Sequence, residues 1–171
     1  MAKKTYDESA IKTLSPLEHI RKRTGMYIGR TGNGSDYNDG IYVLLKEVLD
    51  NAIDEFISGY GKSVNIKIEN NLVTIRDYGR GIPLGKVIDC VSQINTGGKF
   101  NDDVFQFSVG MNGVGTKAVN ALSTYFKVRS TRDGEFFEAI FKEGVLQSQN
   151  KGTSTERNGT LVEFTPDDTI F

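Results

Sequence analysis

Three groups of residues in this chain have types and spacings that could do chemistry. The first is Glu47, Asn51 and Asp54, at i, i+4 and i+7. At roughly 100° per residue these three form one narrow polar strip along a helix. An acid and an amide aimed the same way suit a shared ligand or metal, and oxygen ligands suit Mg²⁺ rather than zinc. A solvated face of an amphipathic helix has the same pattern. Lys46 and Asp50 lie farther round, on the face expected to be wet. Glu55 falls inside the apolar arc beside Val48 and Ala52, where a carboxylate needs a partner. The second group is Asp77-Tyr78-Gly79-Arg80-Gly81-Ile82-Pro83, placed straight after an alternating stretch. Its glycines let backbone pass close to a ligand, and Asp77 at a strand end can accept from an exocyclic amine. A plain turn leaving a hairpin has the same composition.

The third group is Gly97-Gly98-Lys99, followed by Gly110-Met111-Asn112-Gly113-Val114-Gly115 leading into a helical stretch. Backbone N–H groups at a helix start, with glycines that permit close approach, make an anion site. The run comes near a P-loop, but Thr116 precedes Lys117 where that motif needs the lysine first, and no clear strand leads into it. The glycine spacing is not the dinucleotide-binding fingerprint either.

These groups must be positioned by secondary structure, and the elements are readable. Ser15-Pro16 is an N-cap followed by proline at the first helical position, so a short helix is predicted from Pro16 to Arg23. Ile41, Leu44, Leu45, Val48, Ala52 and Phe56 recur at helical spacing and predict a long helix from Asp39 to about Ser58, ended by Gly59 or Gly61. Residues 63–69 and 72–76 alternate around Asn70-Asn71 and predict a hairpin. Shorter helices are expected over 84–94 and 114–122. Strands are expected over 126–131, 135–141, 144–149 and 160–164, with Arg132-Asp133-Gly134 as a turn. Helices and antiparallel hairpins without regular βαβ units predict an α+β fold. The expected architecture is a two-layer sandwich, its mixed, mostly antiparallel sheet covered on one face by helices.

Composition narrows the chemistry. The 171 residues suffice for one domain with a core. Cys90 and His19 are the only residues of their kinds, so a disulfide framework, a cysteine zinc site and a histidine-rich metal site are excluded within one chain. No stretch approaches the ~18 apolar residues of a membrane helix. A single cysteine and an N-terminus without an apolar core behind its lysines fit a reducing cytoplasm. With 21 basic and 22 acidic side chains, the chain is not expected to bind DNA by itself. Gly appears 19 times against three prolines, which favours tight turns and close backbone approach over disorder.

Taken together the three groups resemble the nucleotide-binding boxes of the GHKL ATPases. That superfamily spans type II topoisomerases, MutL repair proteins, the ninety-kilodalton heat-shock chaperones and sensor histidine kinases. Glu47 to Asp54 resembles the N-box, Asp77-x-Gly79-x-Gly81 the first glycine box, and Gly110-x-x-Gly113-x-Gly115 the second. Residues 21–29, 50–55, 79–83, 97–100 and 119–123 look like the ATPase subunit of bacterial gyrase and topoisomerase IV. The resemblance implies the Bergerat fold, with ATP and Mg²⁺ as ligands.

It implies Glu47 as the general base, Asn51 as the Mg²⁺ ligand, and Asp77 as the adenine reader with Thr160 behind it through water. It implies a Glu55–Arg80 salt bridge on the pocket floor, with Gly81, Ile82 and Pro83 beneath the adenine. Lys99 and the turn of Gly110, Met111, Asn112, Gly113, Val114 and Gly115 would grip phosphate within a lid over 97–115. Arg132 resembles the rim arginine on which coumarin inhibitors rest, and Tyr6 and Ile11, in an arm over residues 1–14, resemble the segment that crosses to a partner subunit.

Thr24 and Val109 stand where many members have Pro and Gly, Asn112 where gyrase B subunits often carry His, and the stretch from Pro83 to Gly97 is shorter than in many members; gyrase and topoisomerase IV both stay open, with topoisomerase IV slightly favoured. The family continues into a transducer domain and a region meeting DNA and the DNA-cleaving A-type subunit. The 171 residues are therefore expected to be one ATP-binding domain, weakly active or inactive in hydrolysis when isolated. Two other readings stay open: a histidine-kinase-like domain, against which Glu47 speaks, and a non-hydrolysing adenine-nucleotide module.

Overall fold

The computed structural model describes residues 7–98 and 113–171. A 3-10 turn at Glu8–Ala10 precedes helix α1, Pro16–Lys22. Helix α1 starts in a reciprocal capping box. The Glu18 N–H donates to Ser15 Oγ at 3.3 Å, and the Ser15 N–H donates to Glu18 Oε2 at 2.7 Å. Helix α2 is Gly25–Ile28 and the long helix α3 is Gly40–Ile57. The hairpin follows as β1, Val64–Glu69, and β2, Leu72–Asp77. Asn70 and Asn71 both take positive φ, 48° and 67°, as a two-residue hairpin turn requires. The helix expected over 84–94 divides into a 3-10 turn, Leu84–Lys86, and α4, Val87–Ser92. Then come α5, Gly115–Ala121, and strands β3, Ser123–Arg132, β4, Glu135–Lys142, β5, Val145–Thr153, and β6, Gly159–Pro166.

The six strands form one sheet in the order β1-β2-β6-β3-β4-β5. Every pairing among them is antiparallel, so the sheet described is antiparallel throughout rather than mixed. The period of two sorts the side chains. Val73, Ile75, Phe126, Val128, Ala139, Phe141, Val162 and Phe164 are buried and meet Leu17, Ile20, Leu44, Val48, Val91, Val119 and Leu122 of the helical layer. Phe126 and Phe141 pack edge to face with ring centroids 6.1 Å apart. The alternate positions carry Lys127, Arg129, Glu138 and Glu163, joined by ion pairs on the other face. Helices thus cover one face, and the segment 79–83 that leaves β2 is tied to α3 and β3. Among the described residues no helix is long and apolar enough to cross a membrane.

Candidate functional site

A cavity of about 740 Å³ lies between α3, α5 and the covered face of the sheet. Glu47, Asn51 and Glu55 line it from successive turns of α3. Eight residues at ~1.5 Å rise set Glu47 and Glu55 about 12 Å apart along the helix axis, which gives the cavity two ends.

At one end Asp77, the last residue of β2, is buried. Its Oδ1 accepts from the N–H of Gly79 at 2.9 Å and from the N–H of Thr160 at 3.2 Å. Both bonds fall on one oxygen, which leaves Oδ2 for a ligand. Burial raises the Asp77 pKa above the usual carboxylate value, the two N–H bonds oppose this, and the nearby charge of Glu55 adds to it. The Thr160 N–H joins β6 directly to Asp77, and Thr160 lines the cavity.

Glu55 finds the partner its place in the apolar arc demanded. Arg80 Nη2 donates to Oε1 at 2.8 Å, Nε donates to Oε2 at 3.2 Å, and the Arg80 N–H donates to Oε2 at 2.8 Å. The guanidinium also lies over the Tyr60 ring, 4.3 Å from its centroid. The segment after Asp77 is stitched to β3. Ser130 Oγ donates to the Ile82 carbonyl at 2.6 Å and Arg132 Nη1 donates to that of Gly81 at 3.1 Å. Gly81 has φ +76°, and a Cβ there would sit 2.7 Å from the Thr131 carbonyl oxygen, so only glycine fits. Ile82, Pro83 and Arg132 line the same end.

At the other end Glu47 lies against the start of α5. A Cβ on Gly115 would collide with the Glu47 carboxylate, so the missing side chain makes room for it. Asn51 Nδ2 donates to the Glu47 carbonyl at 3.0 Å and to Thr116 Oγ1 at 2.8 Å. Both bonds use the amide nitrogen, which turns Oδ1 away from these two acceptors. Gly113 and Val114 line this end as well.

Three sequence expectations on α3 need correction. Asp50 is not on a wet face: it is 7% exposed, lines the cavity and accepts from Lys46 Nζ at 2.5 Å. Asp54 does not share the site of Glu47 and Asn51; it is fully buried and does not line the cavity. Angular spacing fixes the direction of a side chain, not how far a cavity runs along the axis, and Glu55 is the third polar residue of the strip. Phe56, at an apolar-arc position, is 59% exposed.

Ile11 is exposed. Tyr6, Lys99, Gly110, Met111 and Asn112 lie outside the described residues. Sequence reasoning missed the apolar wall of Ile75, Val128 and Val162, and it missed Cys90 and Lys117, all of which line the cavity. The strand alternation carried a signal for the first three. Among the described residues no group of three or more His, Cys, Asp or Glu could hold a metal ion.

Residues 36–170 match the family described as histidine kinase-, DNA gyrase B- and HSP90-like ATPase. The whole chain is similar, at 66% identity over 171 residues, to the B subunit of DNA topoisomerase 4 from Borreliella burgdorferi, of which it covers 28%. It is 40% identical over 185 aligned residues to the B subunit of DNA topoisomerase 4 from Enterococcus faecalis, in a match covering all of this chain and 26% of that protein. Among solved structures it resembles the 43K ATPase domain of Thermus thermophilus gyrase B in complex with an aminocoumarin. That match has a TM-score of 0.75 at 31% identity, covering 92% of this chain and 41% of the other. The chain spans about a quarter of the length of these curated relatives. With one cavity lined by residues of all three boxes and a family match over most of its length, the chain belongs to the histidine kinase-, DNA gyrase B- and HSP90-like ATPases.

Proposed function

We propose that the cavity binds ATP with Mg²⁺ and hydrolyses it, with adenine at the Asp77 end and the terminal phosphate at the Glu47 end. The observation that carries this reading is the placement of those two carboxylates at opposite ends of one cavity, with Asn51 between them. Asp77 Oδ2 accepts from the adenine amino group, and Ile82 and Pro83 support the ring. The Glu47 carboxylate orients a water and takes its proton as the water oxygen bonds to the terminal phosphorus and the bond to the ADP oxygen breaks. Asn51 supplies an oxygen of the kind Mg²⁺ prefers, and its amide nitrogen is already engaged, so the residue fits as a ligand. Bound there, Mg²⁺ would neutralise phosphate charge. Lys99 and Gly110 to Gly115 complete the phosphate grip in this proposal.

The larger protein is, in this reading, the B-type subunit of a bacterial type II topoisomerase, and topoisomerase IV rather than gyrase. Similarity at 66% identity to the B subunit of a DNA topoisomerase 4 supports that choice. Its partners would be a second copy of the same subunit, reached by the arm carrying Tyr6 and Ile11, the DNA-cleaving A-type subunit, and DNA. The aminocoumarin bound by the similar gyrase B domain supports a coumarin site at Arg132 here. The test is calorimetric titration with Mg²⁺ and non-hydrolysable analogues of ATP and GTP. Selective binding of the adenine form is expected, and equal binding of both would overturn the assignment of Asp77.

A further inference from the structure

Lys117 is a residue that the proposed chemistry does not use. It is 4% exposed, although lysine almost always keeps its ammonium in water. It lies in α5, two residues beyond Gly115, and lines the same cavity as Glu47 and Asn51. Its Nζ donates to the carbonyl of Thr96 at 2.6 Å. Thr96, Gly97 and Gly98 are themselves part of the cavity wall. Thr116, the residue before it, receives the Asn51 amide at 2.8 Å. Gly115 lies against Glu47 and Thr116 against Asn51, so Lys117 follows them on α5 along the Glu47–Asn51 side of the cavity.

Burying an ammonium is costly unless the site uses it. One that only tied two segments together would, when replaced by an apolar side chain, leave the Thr96 carbonyl without its donor and lower stability without distinguishing one ligand from another. A cation retained at the end of a cavity that must hold a polyanion has a further use.

Building on the ATP reading above, we infer that Lys117 is a positioning and specificity residue for the polyphosphate. Through the Thr96 carbonyl it holds the Thr96–Gly98 wall against α5, and its charge favours ligands whose anionic end reaches Glu47. Ligands that fill only the Asp77 end do not depend on it.

The experiment compares the chain with Lys117→Met and Lys117→Arg. Each is titrated with a non-hydrolysable ATP analogue plus Mg²⁺ and, separately, with an aminocoumarin, and each is melted without ligand. The inference expects Lys117→Met to weaken the ATP analogue by about tenfold or more, the scale of a lost charge-assisted hydrogen bond. Aminocoumarin binding should stay at its native value, the melting temperature should fall only by the loss of the Thr96 hydrogen bond, and Lys117→Arg should recover most of the nucleotide affinity. Equal weakening of both ligands would make Lys117 a structural staple and overturn the inference, as would unchanged binding of both. Failure of the ATP reading itself is seen separately, as absence of nucleotide binding by the native chain.

Discussion

The substitution Asp77→Asn separates what Asp77 does for the fold from what it does for a ligand. The two backbone N–H donors, from Gly79 and Thr160, both end on Oδ1. An asparagine can keep its carbonyl oxygen on those donors, so the turn after β2 and its junction with β6 persist. Its amide nitrogen then replaces Oδ2 and faces the cavity. An adenine amino group that met an acceptor now meets a donor. The loss combines a charge-assisted hydrogen bond, about 1.5–3 kcal/mol, with an unsatisfied polar group, about 1–3 kcal/mol. The lower bound, about 2.5 kcal/mol, corresponds to a roughly 70-fold weaker Kd. Removing a charge that burial already disfavours has no destabilising counterpart, so the melting temperature of the ligand-free protein should hold or rise. The assay is calorimetric titration with a non-hydrolysable ATP analogue beside a thermal melt. Native affinity in Asp77→Asn would refute the role of Oδ2, and a collapsed melt would refute the claim that Oδ1 alone serves the fold.

Other consequences follow from the same geometry. Gly115→Ala should displace the Glu47 carboxylate, which is the flexible end of its side chain, and so change stability by less than about 1 kcal/mol. Misplacing the water-orienting group should slow single-turnover ATP hydrolysis on the order of 100-fold, and an unchanged rate would remove Glu47 from that role. Arg80→Met leaves Glu55 half-buried without its bidentate partner. A loss of about 1–2 kcal/mol in urea unfolding is expected, moderated because both side chains keep some solvent contact. Adding Glu55→Gln should restore part of that stability, and no recovery would mean the ion pair is not the source. The raised pKa of Asp77 predicts a pH signature. Its charged form in the folded protein carries a penalty that is fully present at neutral pH and is relieved as pH falls through the raised pKa toward the unfolded value of about 3.9. The stability gap between Asp77→Asn and the native chain should therefore close on acidification, and a gap that widens would reverse the assigned sign.

Local signals were legible in the sequence where local forces decide the outcome. Asn70-Asn71 set the hairpin because both residues tolerate positive φ, and Ser15-Pro16 with Glu18 set the start of α1. Glu55 announced a missing partner by its place among apolar neighbours, and Arg80 supplied it. The insertion of β6 between β2 and β3 was not legible, since antiparallel pairing across more than eighty residues leaves no trace in either segment. The burial of Asp50 and the Lys117–Thr96 bond were hidden for the same reason: each depends on a neighbour brought in by the tertiary fold. Within the candidate site, the residue types of the three boxes were readable. Which oxygen of Asp77 is occupied, and which way the Asn51 amide faces, are set by contacts at Thr160 and Thr116.

The central claim is an orientation: adenine on Asp77, the polyphosphate running along α3 past Asn51, and its terminus beside Glu47. A crystal structure of the chain grown with Mg²⁺ and a non-hydrolysable ATP analogue tests it most directly. The adenine amino group is expected within hydrogen-bonding distance of Asp77 Oδ2 and the terminal phosphate next to the Glu47 carboxylate. A nucleotide bound in the reverse sense, or bound outside this cavity, would contradict it.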